Sequence, residues 1–197
     1  MKTLALFDFD GTITTKDSFT SFVKFYHGNA KFALGFLFFS PLLVLMKLGV
    51  FDNGLVKNMV FSYFFKGENE QEFNEKCSTY CNEVLPELIR DGAVGQIKTH
   101  SKNGDKIIIV SASPENWIAP WAADFGIDVI STRVGVVDKT LTGFLASKNC
   151  YGPEKVLRIK KQINLTDYDN IVAYGDSQGD REMFELAEKS FYKPFRN

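Results

Sequence analysis

Three short apolar runs, none of them alternating polar with apolar residues, constrain what this chain can fold into. They are Thr3–Phe7 (TLALF), 106–110 (KIIIV) and 170–174 (NIVAY). Such runs, bounded by turn residues such as Asn103-Gly104, are the pattern of strands buried on both faces, as in a parallel sheet. Residues 127–130 (IDVI) are a shorter candidate, and Phe191-Tyr192 before Pro194 a final one. Segments with helical apolar spacing lie between them, at about 92–102, 114–125, 153–163 and 179–187. Strands alternating with helices predict an α/β fold with a doubly wound parallel sheet. Val134–Val137 and 140–144 read as a small added hairpin.

Residues 17–90 break the alternation. Their apolar positions follow helical spacing, with turns near Gly28-Asn29, Asp52-Asn53-Gly54 and Gly67-Glu68-Asn69. Twelve of the 19 phenylalanines lie between Phe19 and Phe73, so composition changes along with pattern. We expect an all-helical insertion over 17–90, with residues 1–16 and 91–197 building the core. Within the insertion, residues 32–46 (FALGFLFFSPLLVLM) carry no charge. Fifteen residues fall short of the roughly 20 that cross a bilayer, and Pro41 sits among them. Two buried helices, or one kinked helix, are the expectation, and contact with a membrane surface is the rival.

With 23 Lys and Arg against 24 Asp and Glu, and no basic block, nothing predicts a nucleic-acid partner. Cys77, Cys81 and Cys150 have no disulfide-framework spacing and read as buried, reduced thiols. Two histidines, His27 and His100, offer little for a zinc site. The N-terminal apolar stretch is broken at Asp8, too short for a signal peptide. We expect a cytoplasmic protein, with the inner membrane surface as the alternative location.

Ligands of open parallel sheets bind beyond the carboxyl ends of the strands. There the chain carries Asp8-Phe9-Asp10-Gly11-Thr12, Ser111-Ala112-Ser113 and Gly175-Asp176-Ser177-Gln178-Gly179-Asp180. Lys155 falls in the first turn of a helix marked by Gly152-Pro153. Asp8 and Asp10, two apart on extended chain, project to one face and can address one ligand. Carboxylates beside a serine and a lysine are hard oxygen donors for Mg²⁺ together with clamps for phosphate. Taken singly, Asp176 and Asp180 read as helix caps and Lys155 as a surface lysine. Ser113 before Pro114 reads as a helix cap, and Asp17 ahead of the apolar helical run does so too.

As an ordered set, DFDGT, SAS, the lone lysine and GDSQGD resemble the four motifs of the haloacid dehalogenase superfamily, whose members are mostly phosphatases. The resemblance implies a Rossmann-like core with a helical cap after the first strand. It implies that Asp8 attacks phosphorus to form an aspartyl-phosphate, while Asp10 protonates the leaving alkoxide and then deprotonates water. Mg²⁺ would be held by Asp8, the Asp10 main-chain carbonyl and Asp176. Gly11 would let the loop aim its N–H groups at phosphate, joined by the Ser111 hydroxyl and the Ala112 N–H. Lys155 would compensate charge, and Asp180 would anchor Lys155 or a metal-bound water. An acid at Asp10 implies phosphoryl transfer, because a dehalogenase has no alkoxide to protonate.

The insertion, the stretch SASPENWIAPWAADFGI and the closing GDSQGD resemble subfamily IB, which contains phosphoserine phosphatase and phosphatidylglycerophosphatase C. Asp17 falls where members of this group often carry a substrate-facing acid. Phosphoserine phosphatase activity is associated with a cap arginine that grips a carboxylate, yet no arginine precedes Arg90 here. Motif two is SAS, without the glycines of those enzymes. The expected partner is a small phosphorylated substrate, amphiphilic and phosphatidylglycerophosphate-like, with phosphoserine or another small metabolite as the alternative. Phe36, Phe38, Phe39, Phe61, Phe64 and Phe65 would form a greasy cap surface, or else pack the cap's own core. A phosphomutase and a non-catalytic docking module are the readings from other classes.

Overall fold

Side chains of β1 (Thr3–Phe7) take turns between two faces, and each face has its own apolar cluster. Ala5 and Phe7 join one, Leu4 and Leu6 the other. The structure is a computed structural model and describes residues 2–196. After β1 come α1 (Ser18–Lys47), α2 (Asn53–Phe65) and α3 (Glu70–Glu83). The chain then winds through α4 (Asp91–Lys102), β2 (Lys106–Pro114), α5 (Glu115–Ala123) and β3 (Asp128–Thr132). A hairpin of β4 (Val134–Val137) and β5 (Thr140–Leu145) follows. Last come α6 (Pro153–Gln162), β6 (Asn170–Gly175), α7 (Arg181–Phe184) and β7 (Lys189–Tyr192).

The five apolar runs form one parallel sheet in the order β3-β2-β1-β6-β7. Ala93 and Ile97 of α4 and Trp117 and Ile118 of α5 cover the Ala5–Phe7 face. Ile159 of α6 and Met183 of α7 cover the other. Both faces are dry, which is why these strands show no alternation. Strand order reverses beside β1, and a crevice opens there at the carboxyl ends.

The three helices after β1 form the helical cap. At its centre Phe22 is fully buried. Its ring packs on Trp117 (4.5 Å between centroids), Tyr80 (5.3 Å), Phe73 (5.6 Å) and Phe65 (5.7 Å). Because Trp117 belongs to α5, one aromatic cluster joins cap and sheet layer. The hairpin adds a second tie: Gly67 N donates to Leu141 O and Leu141 N to Glu68 O, both at 2.9 Å. α1 breaks at Gly28 (φ 75°, ψ 170°), where the sequence predicts a turn. At Gly35, α1 and α2 approach so closely that a Cβ would collide with the Phe64 ring.

Two expectations are corrected. Residues 32–46 are only partly buried: they lie in one helix that runs through Pro41, with Gly35 and Phe39 covered but Leu34 66%, Leu37 72%, Phe38 72% and, just beyond, Leu48 71% exposed. The Ser40 hydroxyl donates to the Leu37 carbonyl (2.8 Å), the acceptor that proline cannot serve, so the helix continues. A stretch apolar all round has no polar side to say which face meets water. Of the six phenylalanines read as either a greasy surface or the cap's own core, Phe39, Phe61, Phe64 and Phe65 are core, Phe36 is half-buried and Phe38 is exposed. The helix expected over 179–187 is a turn followed by the short α7.

Replacing Phe22→Ala should cost about 3–5 kcal/mol, because a void opens where four rings meet. Phe38→Ala should cost under about 1 kcal/mol. Urea unfolding of both variants checks this, and equal losses would contradict the assignment of core and surface.

Candidate active site

Asp8 follows β1, and its N–H donates to the Tyr174 carbonyl (2.9 Å), extending the sheet by one residue. The side chain is buried, with Thr12 Oγ1 donating to Oδ2 at 3.0 Å. Gly11 has φ 81°, and a Cβ there would run into the Asp176 carboxylate. Glycine is therefore what lets the loop after β1 meet the loop after β6. Asp10 accepts from Ser18 N at 2.6 Å (Oδ1) and from the Ser111 hydroxyl at 3.4 Å (Oδ2).

Lys155, in the first turn of α6, is 2% exposed. Its Nζ donates to Asp180 Oδ1 (2.6 Å), Asp8 Oδ1 (2.7 Å) and Val110 O (2.8 Å), which uses all three protons of an ammonium. Asp180 is fully buried, and its other oxygen accepts from Asp176 N (3.1 Å), Ser177 N and Ser177 Oγ (both 3.0 Å). Asp176 pairs with Arg196 at 2.5 Å.

Ser111 is fully buried at the end of β2 and accepts from Ser113 N at 3.0 Å. Ser113 is not the helix cap that the sequence suggests. It remains in β2, and α5 starts after Pro114 without a side-chain cap, while the Ser113 hydroxyl accepts from the Ser18 hydroxyl (3.5 Å). Asp17 caps α1 by accepting from Thr20 N (2.7 Å), and it also lines the cavity over the site. Sequence reasoning missed Lys57. Its Nζ donates to the Ala112 carbonyl (2.7 Å) and lies 5.4 Å from the centre of the Phe19 ring. The available signal was that Lys57 is the sole charge in α2.

Four carboxylates thus gather around one buried ammonium. Burial pushes Asp8 up to about 7; Lys155 opposes the shift and Asp180 adds to it. Burial, then the neighbouring Asp17, raise Asp10 as well, and burial and Asp180 raise Asp176. Burial would pull Lys155 down, but Asp8 and Asp180 outweigh it, and the lysine stays charged. An anionic cluster of hard oxygen donors is the environment a divalent cation relieves. Oxygens of Asp8, Asp176 and Asp180 lie within 4.8 Å of one another. Asp8 and Asp176 line the cavity while Asp180 is fully buried beneath it, bonded to Lys155 and the β6 loop, so Asp8 and Asp176 are the side chains that fit a metal, with Asp180 holding them in place.

A cavity of about 590 Å³ covers these groups. Its floor includes Asp8, Asp10, Lys155 and Asp176; its cap side is Phe36, Leu43, Met46, Val56 and Val60, with Lys57 and Asp17. The arrangement brings together every residue singled out in the four motifs.

The family model for haloacid dehalogenase-like hydrolase matches residues 5–185. Protein CicA of Caulobacter vibrioides is 35% identical, over 98% of this chain and 86% of that one. A protein of unknown function from Bordetella pertussis has a similar structure, with a TM-score of 0.85 at 20% identity over 98% and 90% of the two chains. A substrate-bound phosphoserine phosphatase superposes with a TM-score of 0.66 at 20% identity, over 96% and 85%.

A carboxyl that binds its proton more tightly folded than unfolded stabilises fully below its ordinary value and loses that contribution as pH rises through the folded one. For Asp8 that window runs from 3.8 to about 7. In EDTA, wild type should lose stability relative to Asp8→Asn across it, read by urea unfolding at each pH. A difference that stays flat would contradict the raised carboxyl.

Proposed function

The chain belongs to the haloacid dehalogenase-like hydrolases, and from that premise we propose that it is a Mg²⁺-dependent phosphatase of phosphomonoesters working through an aspartyl-phosphate. The observation that carries this is the Lys155 hub. It fixes a buried carboxylate, Asp8, by one oxygen at the carboxyl edge of the sheet, beside a second carboxylate at Asp10.

An Asp8 oxygen attacks phosphorus, and the bond to the leaving alkoxide oxygen breaks. Asp8, Asp176 and the Asp10 carbonyl would hold Mg²⁺, whose positive charge would offset repulsion between the attacking carboxylate and the phosphate. Asp10, its carboxyl raised by burial, carries the proton that the alkoxide needs and later takes one from water. Ser18 N and Ser111 Oγ orient it. Lys155 balances the charge of Asp8, and Asp180 keeps Lys155 extended. The Ser111 hydroxyl, the Ala112 N–H and the backbone N–H groups that the Gly11 turn orients are the donors for phosphate.

For the substrate, the apolar cap side of the cavity favours an amphiphilic phosphomonoester, phosphatidylglycerophosphate-like. Two cations line the cavity from the cap, Lys47 and Lys57, point charges without the two-pronged grip of a guanidinium. Phosphoserine or another small metabolite is the second reading, and the fold shared with phosphoserine phosphatase favours it.

Phosphate release from phosphoserine, sugar phosphates, nucleotides and short-chain phosphatidylglycerophosphate, with Mg²⁺ or EDTA, tests both levels. Mg²⁺-dependent release should fall at least about 10³-fold in Asp8→Asn, and about 10²–10⁴-fold in Asp10→Asn. The ranking of substrates decides between the amphiphilic and polar readings. Folded, metal-loaded protein that releases nothing would instead support the docking module.

A further inference from the structure

One feature of the cap is left unused by the chemistry above. Beyond Gly28, α1 presents Leu34, Leu37, Phe38, Pro41, Val44 and Leu48 to solvent at three- and four-residue spacing. Soluble helices put charge on that side. Here the row is apolar, and Tyr63 of α2, 46% exposed, extends it by stacking on Phe38 (6.2 Å). The helix is long and apolar enough to cross a membrane.

We propose that this face of α1 docks on an anionic lipid surface, laying the cavity mouth against it. Three observations converge. First, the same helix contributes Phe36, Leu43, Met46 and Lys47 to the cavity that contains Asp8 and Asp176, so one helix lies between that cavity and the exposed row. Second, the charge is one-sided. From Ser18 to Gly67 the chain carries Lys24, Lys31, Lys47 and Lys66, besides Lys57 turned to the active site, against one acid, Asp52, which is engaged in capping α2 through Leu55 N (2.9 Å). The chain as a whole is close to neutral, so this excess is local, and its sign suits phosphate headgroups. Third, the Ser40–Leu37 hydrogen bond satisfies the carbonyl freed by Pro41, which an apolar surrounding demands.

The helix lies on the surface and does not cross it. Gly35 is pressed against Phe64, and Phe39 is buried, so spanning would strip the inner face from α2. A second copy fits less well, because self-pairing would set Lys31 and Lys47 against their own kind. Docking stands on the helix alone; its use in presenting a phosphomonoester rests on the phosphatase reading.

The test is sedimentation of the full chain with vesicles of phosphatidylcholine alone or mixed equally with phosphatidylglycerol, beside hydrolysis of soluble p-nitrophenyl phosphate. Binding to the mixed vesicles should weaken with salt, and the Leu37→Glu/Phe38→Glu double variant should lose at least about tenfold in affinity. That variant should keep its circular dichroism and its hydrolysis rate. Equal binding by the variant, no preference for the anionic vesicles, or no binding at all would overturn the proposal. So would a vesicle-free dimer that the variant abolishes, since the face would then belong to a second copy. Vesicle binding without hydrolysis would uphold docking and sink the phosphatase; hydrolysis without vesicle binding would do the reverse.

Discussion

The Lys155 ammonium is the contact on which the site depends. Its three acceptors come from three places in the chain: the loop after β1, the end of β2 and the loop after β6. Removing one partner from such a buried group costs about 3–5 kcal/mol, because the others are left charged without compensation. The aspartates cannot disperse to relieve their repulsion, since Asp180 is also tied to Ser177 and to the backbone. Negative charge is thus concentrated where solvent would otherwise dilute it; that concentration favours a cation, and the cation together with Lys155 is what would offset the repulsion a phosphate meets there.

Ser18 has a matching role between cap and core. Its N–H holds Asp10, its hydroxyl accepts from Trp117 Nε1 (3.0 Å) and its carbonyl accepts from Tyr80 (3.3 Å). The first residue of the cap is therefore bound to the acid, to α5 and to α3 at once. A shift in the cap reaches Asp10 through a single peptide group.

Much of this was legible in the sequence, for definite reasons. TLALF, KIIIV and NIVAY announce themselves because strands covered on both faces have no polar positions to confuse the pattern. Asp8, Asp10, Asp176 and Asp180 were legible because each follows such a strand. Lys57 was not, since its meaning arises only where α2 crosses over Ala112, a tertiary fact. The exposure of residues 32–46 was misjudged because apolar residues on every side of a helix cannot say which side is covered. Ser113 misled in another way: its hydroxyl is engaged by Ser18, far away in the chain, a tertiary contact that residue preferences do not record.

The position of β1 has a consequence in time. It is made first, yet it is the central strand, and its partners begin only at Lys106 and Asn170. At roughly 5–20 residues per second, the ribosome takes on the order of ten seconds to deliver the second of them. Through that interval the long apolar α1 is already outside with no sheet to rest on. Asp8 is an unremarkable side chain on an unpaired segment until Asp176 and Asp180 emerge. A chain stopped before Asp176 holds Asp8 without the partners that enclose it, so the site exists only once the loop after β6 has been made.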